Sequence, residues 1–248
     1  MQTPSRLLPL QGASNFRDLG GYAGHDGRTV RWRRLFRSDH LGGLTPADHA
    51  AVQSLGIRRA FDFRGVQESQ SQPYRVSGLV QHALPIEPTV AQQMHALAQA
   101  GLPLTPPRME GLMADLYLRL VDHESARFAQ WFGHLLADGS PQVFHCTAGK
   151  DRTGLAAALL LRALGVPQAV VEADYLLTNV HYRRPPSHDP RVPDDALAVL
   201  WSVRPAFLHA AFDRIEHQHG GLQRYLQQRL HLAPADRDRL AALYLEPG

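Results

Sequence analysis

The 248-residue chain is nearly devoid of two residue types: it has one cysteine, Cys146, and one lysine, Lys150, and all its other basic residues except histidine are arginine. A single cysteine excludes an internal disulfide, so nothing indicates an oxidising compartment. The chain also lacks an apolar run near the roughly 18 residues that span a bilayer, since the longest, 155–161, ends at Arg162. The N-terminal apolar patch is broken by Pro9 and has no signal-peptide core. We therefore expect a cytoplasmic protein, and secretion without a signal peptide stays open.

The overall composition is that of a globular protein. Apolar residues make up 44% of the chain and charged residues 20%, enough for a sizeable core. The formal net charge is only +3, and the use of arginine for lysine is typical of coding bias. This charge adds a little to the case for an anionic substrate, and we predict no nucleic-acid partner.

Turn residues and apolar periodicity predict strands that alternate with helices. The predicted strands are 29–36, 57–63, 78–86 and 141–146, and the predicted helices are 45–56, 89–138, 153–164 and 167–181. This order indicates an α/β fold in which helices pack on a sheet. We expect one domain over 1–248, with 183–218 as an appended helical element that either covers the site as a lid or simply packs on the sheet.

The segment VFHCTAGKDRTG (143–154) holds both rare residues. A strand ends at Cys146 and a helix begins near Arg152, so the loop between them must curl with its N–H groups inward, which Gly149 and Gly154 ease. Such amides, together with a helix N-terminus, form a cradle for an anion. The residues predicted to bind phosphate are Thr147, Ala148, Gly149, Lys150, Asp151, Arg152 and Thr153.

The same surroundings favour the thiolate form of Cys146, because Arg152, Lys150 and the amides all attract negative charge. A thiolate in a phosphate cradle can attack phosphorus and form a phosphocysteine that water then hydrolyses. The hydroxyl of Thr153 could hydrogen-bond the sulfur and ease its departure. The alternative, a buried structural cysteine, does not account for the arginine six positions on.

HCTAGKDRTG resembles the signature of the cysteine-dependent protein tyrosine phosphatase superfamily. Further segments resemble the bacterial tyrosine/serine phosphatase family within it: NFRDLGGY (15–22), FRSD (36–39), DFR (62–64), DYLLTN (174–179) and the C-terminal GLQRYLQQRLHLAPADRDRLAALYLE. The resemblance covers most of the chain. It implies a phosphatase-like central mixed sheet, Cys146 as nucleophile, Arg152 as phosphate ligand, and no cofactor or metal.

The resemblance also implies a substrate class. Members act on phosphotyrosine, some on phosphoserine and phosphothreonine, and often on phosphoinositides. Known lipid phosphatases share a lysine in this loop, so contact of Lys150 with further phosphates of an inositol ring is an open expectation. Transient contact with an anionic membrane surface is open as well, and the oligomeric state is not predicted.

The leaving oxygen needs a proton, and an aspartate is the expected donor. The resemblance implies Asp151, although a helix N-terminus and Arg152 favour its ionised form. Asp62, at a strand end, is the second candidate, and Asp39 is the third. The competing interpretations are a helix cap for Asp151 and an ion pair with Arg64 for Asp62.

Five other polar residues receive structural predictions. We expect Asn15, Arg17 and Asp18 to be turn and scaffold residues, and His145 to brace the loop with its ring facing away from Cys146. Two roles are predicted for Asp174: it either hydrogen-bonds the loop from behind or lies on a helix surface.

Three other functions compete with a protein tyrosine phosphatase: a phosphoinositide-specific phosphatase, a non-catalytic phosphate-binding module and a sulfurtransferase.

Overall fold

The computed structural model describes residues 5–184 and 192–248. It contains a five-stranded sheet in the order β1-β2-β5-β3-β4. The strands are β1 (Arg17–Asp18), β2 (Leu35–Ser38), β3 (Arg59–Asp62), β4 (Val80–Ala83) and β5 (Gln142–His145). Strand β1 is antiparallel to β2, and the other pairs are parallel. The predicted α/β fold with a central mixed sheet is confirmed.

Helices make up most of the remaining chain. They are α1 (Pro46–Ser54), α2 (Val66–Ser71), α3 (Val90–Gln99), α4 (Pro106–His123), α5 (Ser125–Ala137), α6 (Asp151–Ala163), α7 (Gln168–Leu176), α8 (Thr178–His181), α9 (Asp194–Trp201), α10 (Pro205–Gln218), α11 (Leu222–Gln228) and α12 (Pro234–Tyr244). Among the described residues, no helix is long and apolar enough to cross a bilayer.

Both faces of the sheet are covered, because neighbouring strand residues point to opposite sides. Phe36, Ala60 and Val143 lie side by side and belong to a smaller apolar cluster that also contains Val52 of α1. The alternate residues, among them Phe144 of β5, join the larger cluster under the other helices. Two covered faces explain why β5 is fully buried.

The predicted strand over 29–36 is wrong in extent. The chain turns at Arg33, whose φ of +62° is left-handed, and pairing with β5 starts only at Leu35. Asp18 fixes this turn, since its carboxylate accepts 2.8 Å hydrogen bonds from the backbone N–H groups of Gly20 and Arg33. Asp18 is therefore the scaffold residue that we expected.

The parallel strands bring three sequence motifs to one edge. β2, β3 and β5 run in the same direction and end in register at Ser38, Asp62 and His145. FRSD, DFR and HCTAG, which are far apart in sequence, therefore meet at the carboxyl edge of the sheet, where open α/β sheets bind ligands.

The appended segment 183–218 contains α9 and α10, and both helices pack against α4. Residues 185–191 of this segment lie outside the described residues.

Candidate active site

The loop that follows β5 comprises residues 146–150 and leads directly into α6. Gly149 has φ +61°, and a Cβ atom there would lie 2.3 Å from the carbonyl oxygen of Ser38. Only glycine fits this position. The loop is also tied to β2, because the N–H of His40 donates a 3.0 Å hydrogen bond to the carbonyl of Thr147.

Buried arginines hold the loop from behind. The carbonyl of Gly149 accepts hydrogen bonds from Arg37 Nη2 at 2.9 Å and from Asn15 Nδ2 at 3.2 Å. Arg37 Nη1 is bound to Asp174 Oδ2 at 3.0 Å, and Arg17 Nη2 donates to the Asp174 carbonyl at 3.0 Å. Asp174 therefore supports the loop through Arg37 and not directly, and its alternative helix-surface role is excluded because the residue is buried.

This cluster has a net positive charge. Burial alone would raise the pKa of Asp174, but Arg17 and Arg37 outweigh burial and lower it, so the carboxylate is ionised. Burial, with Arg37 nearby, lowers the pKa of Arg17 to about 10, which leaves it charged at neutral pH. Two guanidinium groups against one carboxylate create a positive potential behind Gly149 that favours an anion in the loop.

Cys146 is buried and lines a cavity of about 230 Å³. Thr147, Ala148, Lys150, Asp151, Arg152 and Glu68 also line it, and the apolar part of its wall includes Pro88, Val90, Met94, Met113, Leu116, Leu200 and Trp201. The structure therefore brings together most of the residues predicted to bind phosphate. Gly149 does not line the cavity, and its carbonyl is held by Arg37 and Asn15.

Thr153 does not make the contact that we expected. Its hydroxyl is buried and has no hydrogen-bond partner in the described part of the chain. The bond from Thr153 to the sulfur of Cys146 is therefore absent.

Arg152 is paired end-on with Glu68. Its Nη1 lies 2.6 Å from Glu68 Oε2 and its Nη2 lies 2.9 Å from Oε1, and the hydroxyl of Thr147 also donates to Oε1. Burial opposes charge on both side chains. Arg152 outweighs burial and lowers the pKa of Glu68, while Cys146 together with Glu68 outweighs burial and raises the pKa of Arg152. Nε of Arg152 has no hydrogen-bond partner among residues 5–184 and 192–248.

Glu68 is a residue of the site that was not predicted from the sequence. It lies in the first turn of α2, where its carboxylate also accepts the N–H of Gly65 at 2.8 Å. The local pattern predicts a helix cap and nothing more. Its pairing with Arg152, 84 positions further along the chain, arises only from the fold.

Asp151 is the first residue of α6 and lies in the cavity beside Cys146. Its Oδ1 accepts a 3.0 Å hydrogen bond from the hydroxyl of Tyr117, and its Oδ2 lies 3.3 Å from Lys150 Nζ. Of the candidate acids, Asp151 is the one that lines the cavity with the sulfur.

Asp62 is placed differently. It is buried and forms an ion pair with Arg64, with 2.7 Å between Oδ2 and Nη2, and it also accepts from Gln81 Nε2 at 2.9 Å. Burial would raise the pKa of Asp62, but His145 and Arg64 lower it overall. The structure gives Asp62 the ion-pair role, and it does not line the cavity, which argues against this second candidate acid.

His145 braces the loop. Its Nδ1 lies 3.3 Å from the carbonyl oxygen of Cys146, and its Nε2 lies 2.8 Å from the hydroxyl of Tyr74. Burial, only partly offset by Asp62, lowers the pKa of His145 to about 4. The ring is therefore neutral at neutral pH, with Nδ1 as donor and Nε2 as acceptor.

Lys150 does not present a free ammonium group. Its Nζ donates to the carbonyls of Leu200 at 2.6 Å and Ser202 at 3.2 Å, which lie at the C-terminal end of α9, and its side chain is only 4% exposed. The expected contact with inositol phosphates would require these hydrogen bonds to break. In this structure the lysine ties the loop to α9, where a cation is favourable.

A second cavity of about 430 Å³ adjoins the first, since Thr147 and Trp201 line both. Arg183, Arg184, His40 and Asp39 also line it. The carboxylate of Asp39 accepts the N–H of Ser14 at 3.0 Å and its hydroxyl at 2.7 Å. Asp39, the third candidate acid, is thus held in the second cavity.

Comparisons with known proteins identify the family of the chain. A family model described as the tyrosine phosphatase family matches residues 8–246. A Cupriavidus necator protein assigned as a tyrosine-protein phosphatase is 35% identical over 241 residues, which cover 91% of this chain and 84% of that protein. The triple specificity protein phosphatase PtpB of Mycobacterium tuberculosis is 33% identical in an alignment that is 259 residues long. The alignment covers 88% of this chain and 92% of PtpB.

Among solved structures, TpbA of P. aeruginosa is similar with a TM-score of 0.38 and 15% identity, over 72% of this chain and 86% of TpbA. The match over nearly the whole sequence comes from the family model and the two relatives. The chain therefore belongs to the tyrosine phosphatase family, as its HCTAGKDRTG loop predicts, and is a phosphoric monoester hydrolase of that class.

Proposed function

We propose that the protein dephosphorylates phosphotyrosyl proteins through a phosphocysteine on Cys146. The thiolate attacks phosphorus, the bond from phosphorus to the phenolic oxygen breaks, and that oxygen takes a proton from Asp151. Water then attacks phosphorus, the bond from phosphorus to sulfur breaks, and Asp151 accepts the proton from the water. The observation that carries the proposal is the presence of Cys146, Arg152 and Asp151 in one 230 Å³ cavity.

Arg152 and the loop amides stabilise the transferring group. Glu68 occupies the two terminal nitrogens of Arg152, so a phosphate would bind at the Nε edge. The positive cluster behind Gly149 adds to the field without touching the substrate. Such fixed charges and dipoles in a site that excludes water account for much of the rate of phosphoryl transfer.

The walls of the cavity support an aromatic substrate. Met94, Met113, Leu116 and Trp201 surround the space next to the sulfur. Sulfur and apolar groups pack well against an aromatic ring. A hydroxyl-rich inositol ring would leave its polar groups unpaired against the same walls.

The decisive experiment measures turnover of a phosphotyrosyl peptide by the wild-type protein and by the Cys146→Ser, Asp151→Asn and Asp62→Asn variants. We expect no turnover with serine at 146 and a loss of about 100-fold or more with Asp151→Asn. Asp62→Asn leaves the proposed general acid in place, so it should still turn over the peptide with protonation of the leaving oxygen. If Asp151→Asn retains wild-type turnover on a substrate with a poor leaving group, the assignment of the acid is wrong.

Hydrolysis of phosphoinositides is our second candidate function. The apolar walls of the first cavity disfavour an inositol ring, but the arginines of the second cavity favour a substrate with a further phosphate. Arg183 and Arg184 line that cavity, and phosphate groups bind well to guanidinium. A substrate with one phosphate at Cys146 could place another there, past Thr147. Arg183→Gln should then lower turnover on an inositol bisphosphate lipid about 10-fold, because it removes one charge-assisted hydrogen bond. Turnover of p-nitrophenyl phosphate should be unchanged. Arg127→Gln, on α5, is the control.

We also keep the proposal that α9 and α10 cover the site within a single domain. Leu200 and Trp201 of α9 line the cavity with Cys146. Covering the thiolate would protect it from oxidation.

A further inference from the structure

Two buried tyrosines approach Asp151 from the protein interior. The hydroxyl of Tyr117, on α4, donates to Asp151 Oδ1 at 3.0 Å. The hydroxyl of Tyr175, on α7, lies 2.6 Å from that of Tyr117. Both side chains are buried, with 0% and 1% of their surface exposed. Neither tyrosine lines the cavity. Tyr117 lies outside every segment that carries the family resemblance, and Tyr175 lies within DYLLTN (174–179).

The hydrogen bonds run in one direction. Burial, with Asp151 nearby, raises the pKa of both tyrosines far above the ordinary value of 10.0, so each carries one proton to donate. Tyr117 gives its proton to the carboxylate, and Tyr175 must therefore supply the proton between the two hydroxyls. Within the described part of the chain, Tyr175 also has the backbone N–H of Arg204 and the Arg37 guanidinium nearby. Both are donors and cannot accept that proton.

This direction distinguishes the two oxygens of Asp151. Oδ1 receives the 3.0 Å Tyr117 hydrogen bond, whereas Oδ2 faces Lys150 Nζ at 3.3 Å, and the shorter hydrogen bonds of that ammonium group go to the Leu200 and Ser202 carbonyls. Oδ2 therefore has the weaker contact, and a proton that Asp151 carries sits there. To put the proton on Oδ1, Tyr117 would have to turn toward Tyr175, and the Tyr175 hydroxyl would lose its acceptor in a buried site. A buried donor without an acceptor is costly.

We propose that Tyr117 is a positioning residue for Asp151 and that Tyr175 fixes the Tyr117 hydroxyl, so that Oδ2 is the oxygen that gives and takes the catalytic proton. The inference rests on the proposed role of Asp151 as general acid. In the first step the proton leaves Oδ2 for the phenolic oxygen as its bond to phosphorus breaks. In the second step Oδ2 takes a proton from the attacking water as the bond from phosphorus to sulfur breaks.

The test compares Tyr117→Phe with wild type on two aryl phosphates, one with a weakly basic leaving group, p-nitrophenyl phosphate, and one with a strongly basic one, phenyl phosphate. A strongly basic leaving group depends on the acid, whereas a weakly basic one needs it little. We expect kcat to fall about 10-fold or more on phenyl phosphate and less than about 3-fold on p-nitrophenyl phosphate. Tyr175→Phe should show the same pattern with a smaller loss.

A double-variant cycle separates positioning from a structural role. If Tyr117 acts through Asp151, Tyr117→Phe in the Asp151→Asn background should cause no further loss that depends on the leaving group. The matched control is Tyr225→Phe, which also removes a buried hydroxyl bound to α4, the 3.0 Å hydrogen bond to the Val121 carbonyl. For this control, kcat should fall no more on phenyl phosphate than on p-nitrophenyl phosphate.

Two results would overturn this inference while leaving the proposed function intact. Either Tyr117→Phe lowers kcat equally on the two substrates, or its decrease in kcat adds to the decrease caused by Asp151→Asn. If Tyr117→Phe does not fold, Tyr175→Phe provides the same comparison. If Asp151→Asn itself shows no dependence on the leaving group, the acid is another residue, and the inference falls together with that part of the proposed function.

Discussion

Replacing Glu68 by glutamine tests how the phosphate-binding arginine is held. The change removes the charge opposite Arg152 and keeps the size of the side chain. The pair is mostly buried, with 22% of Glu68 and 10% of Arg152 exposed. A hydrogen bond to a charged group contributes about 1.5–3 kcal/mol net. We expect the free energy of unfolding to fall by about that amount, and kcat/KM to fall roughly 10- to 100-fold as Arg152 loses its fixed orientation.

The assay combines urea unfolding with kcat/KM on a phosphotyrosyl peptide. The matched control is Glu110→Gln, because Glu110 forms an ion pair with Arg204 at the surface, where 48% and 39% of the two side chains are exposed. An exposed pair contributes about 0–1 kcal/mol. The control should therefore change stability little and leave kcat/KM unchanged.

The effect of Glu68 on stability depends on pH in a defined direction. Arg152 holds the pKa of Glu68 below its ordinary value of 4.5, although burial alone would raise it. A carboxylate with a lowered pKa in the folded state stabilises the protein above its unfolded pKa, and this contribution disappears as the pH falls through the folded pKa. The difference between wild type and Glu68→Gln should be complete at pH 7 and shrink below about pH 4.5.

Two outcomes would refute this reasoning. If Glu68→Gln changes neither stability nor kcat/KM beyond the Glu110→Gln control, the loop alone orients Arg152. If the variant binds substrate more tightly and turns it over faster, Glu68 competes with the phosphate for the guanidinium and does not position it.

Two further substitutions and one titration probe the surroundings of the loop. Asp174→Asn should lower the free energy of unfolding by about 3–5 kcal/mol, since it leaves two buried arginines without a counter-charge; a loss under about 1 kcal/mol in urea unfolding would contradict the buried ion cluster. Gly149→Ala should abolish turnover because its Cβ would meet the Ser38 carbonyl at 2.3 Å, whereas Gly111→Ala, with open space around it, should be fully active. NMR should show His145 titrating near pH 4, with stability falling as the pH drops from about 6.5 toward 4 because the unfolded chain binds the proton first; titration near 6.5 would argue against a buried neutral ring.

Local signals explain what could be predicted from the sequence. Thr45, Pro46 and Asp48 predict the start of α1, where the structure has a capping box with proline at the first position. The glycines and the arginine of the loop predict an anion cradle between β5 and α6. These features depend on residues within one or two turns of each other, so sequence spacing is enough to find them.

The parts that could not be predicted depend on distant contacts. Tyr117 lies 34 positions from Asp151, and its spacing on α4 is that of an ordinary core residue. The choice between Asp151 and Asp62 likewise required the fold. Asp62 ends β3 and Asp151 begins α6, each close to an arginine in sequence, and only the fold shows which carboxylate lines the cavity with Cys146. The Lys150 hydrogen bonds to α9 depend on backbone carbonyls, which no residue type can reveal.

The central claim is tested most directly by mixing the protein with a radiolabelled phosphotyrosyl peptide and stopping the reaction in milliseconds with denaturant. Mass spectrometry and radiolabel mapping of the peptide that contains residue 146 would then locate the phosphoryl group. The proposed mechanism predicts phosphorus bonded to the sulfur of Cys146, formed and lost at rates compatible with turnover. Label on another residue, or turnover with no labelled protein at any time, would contradict it.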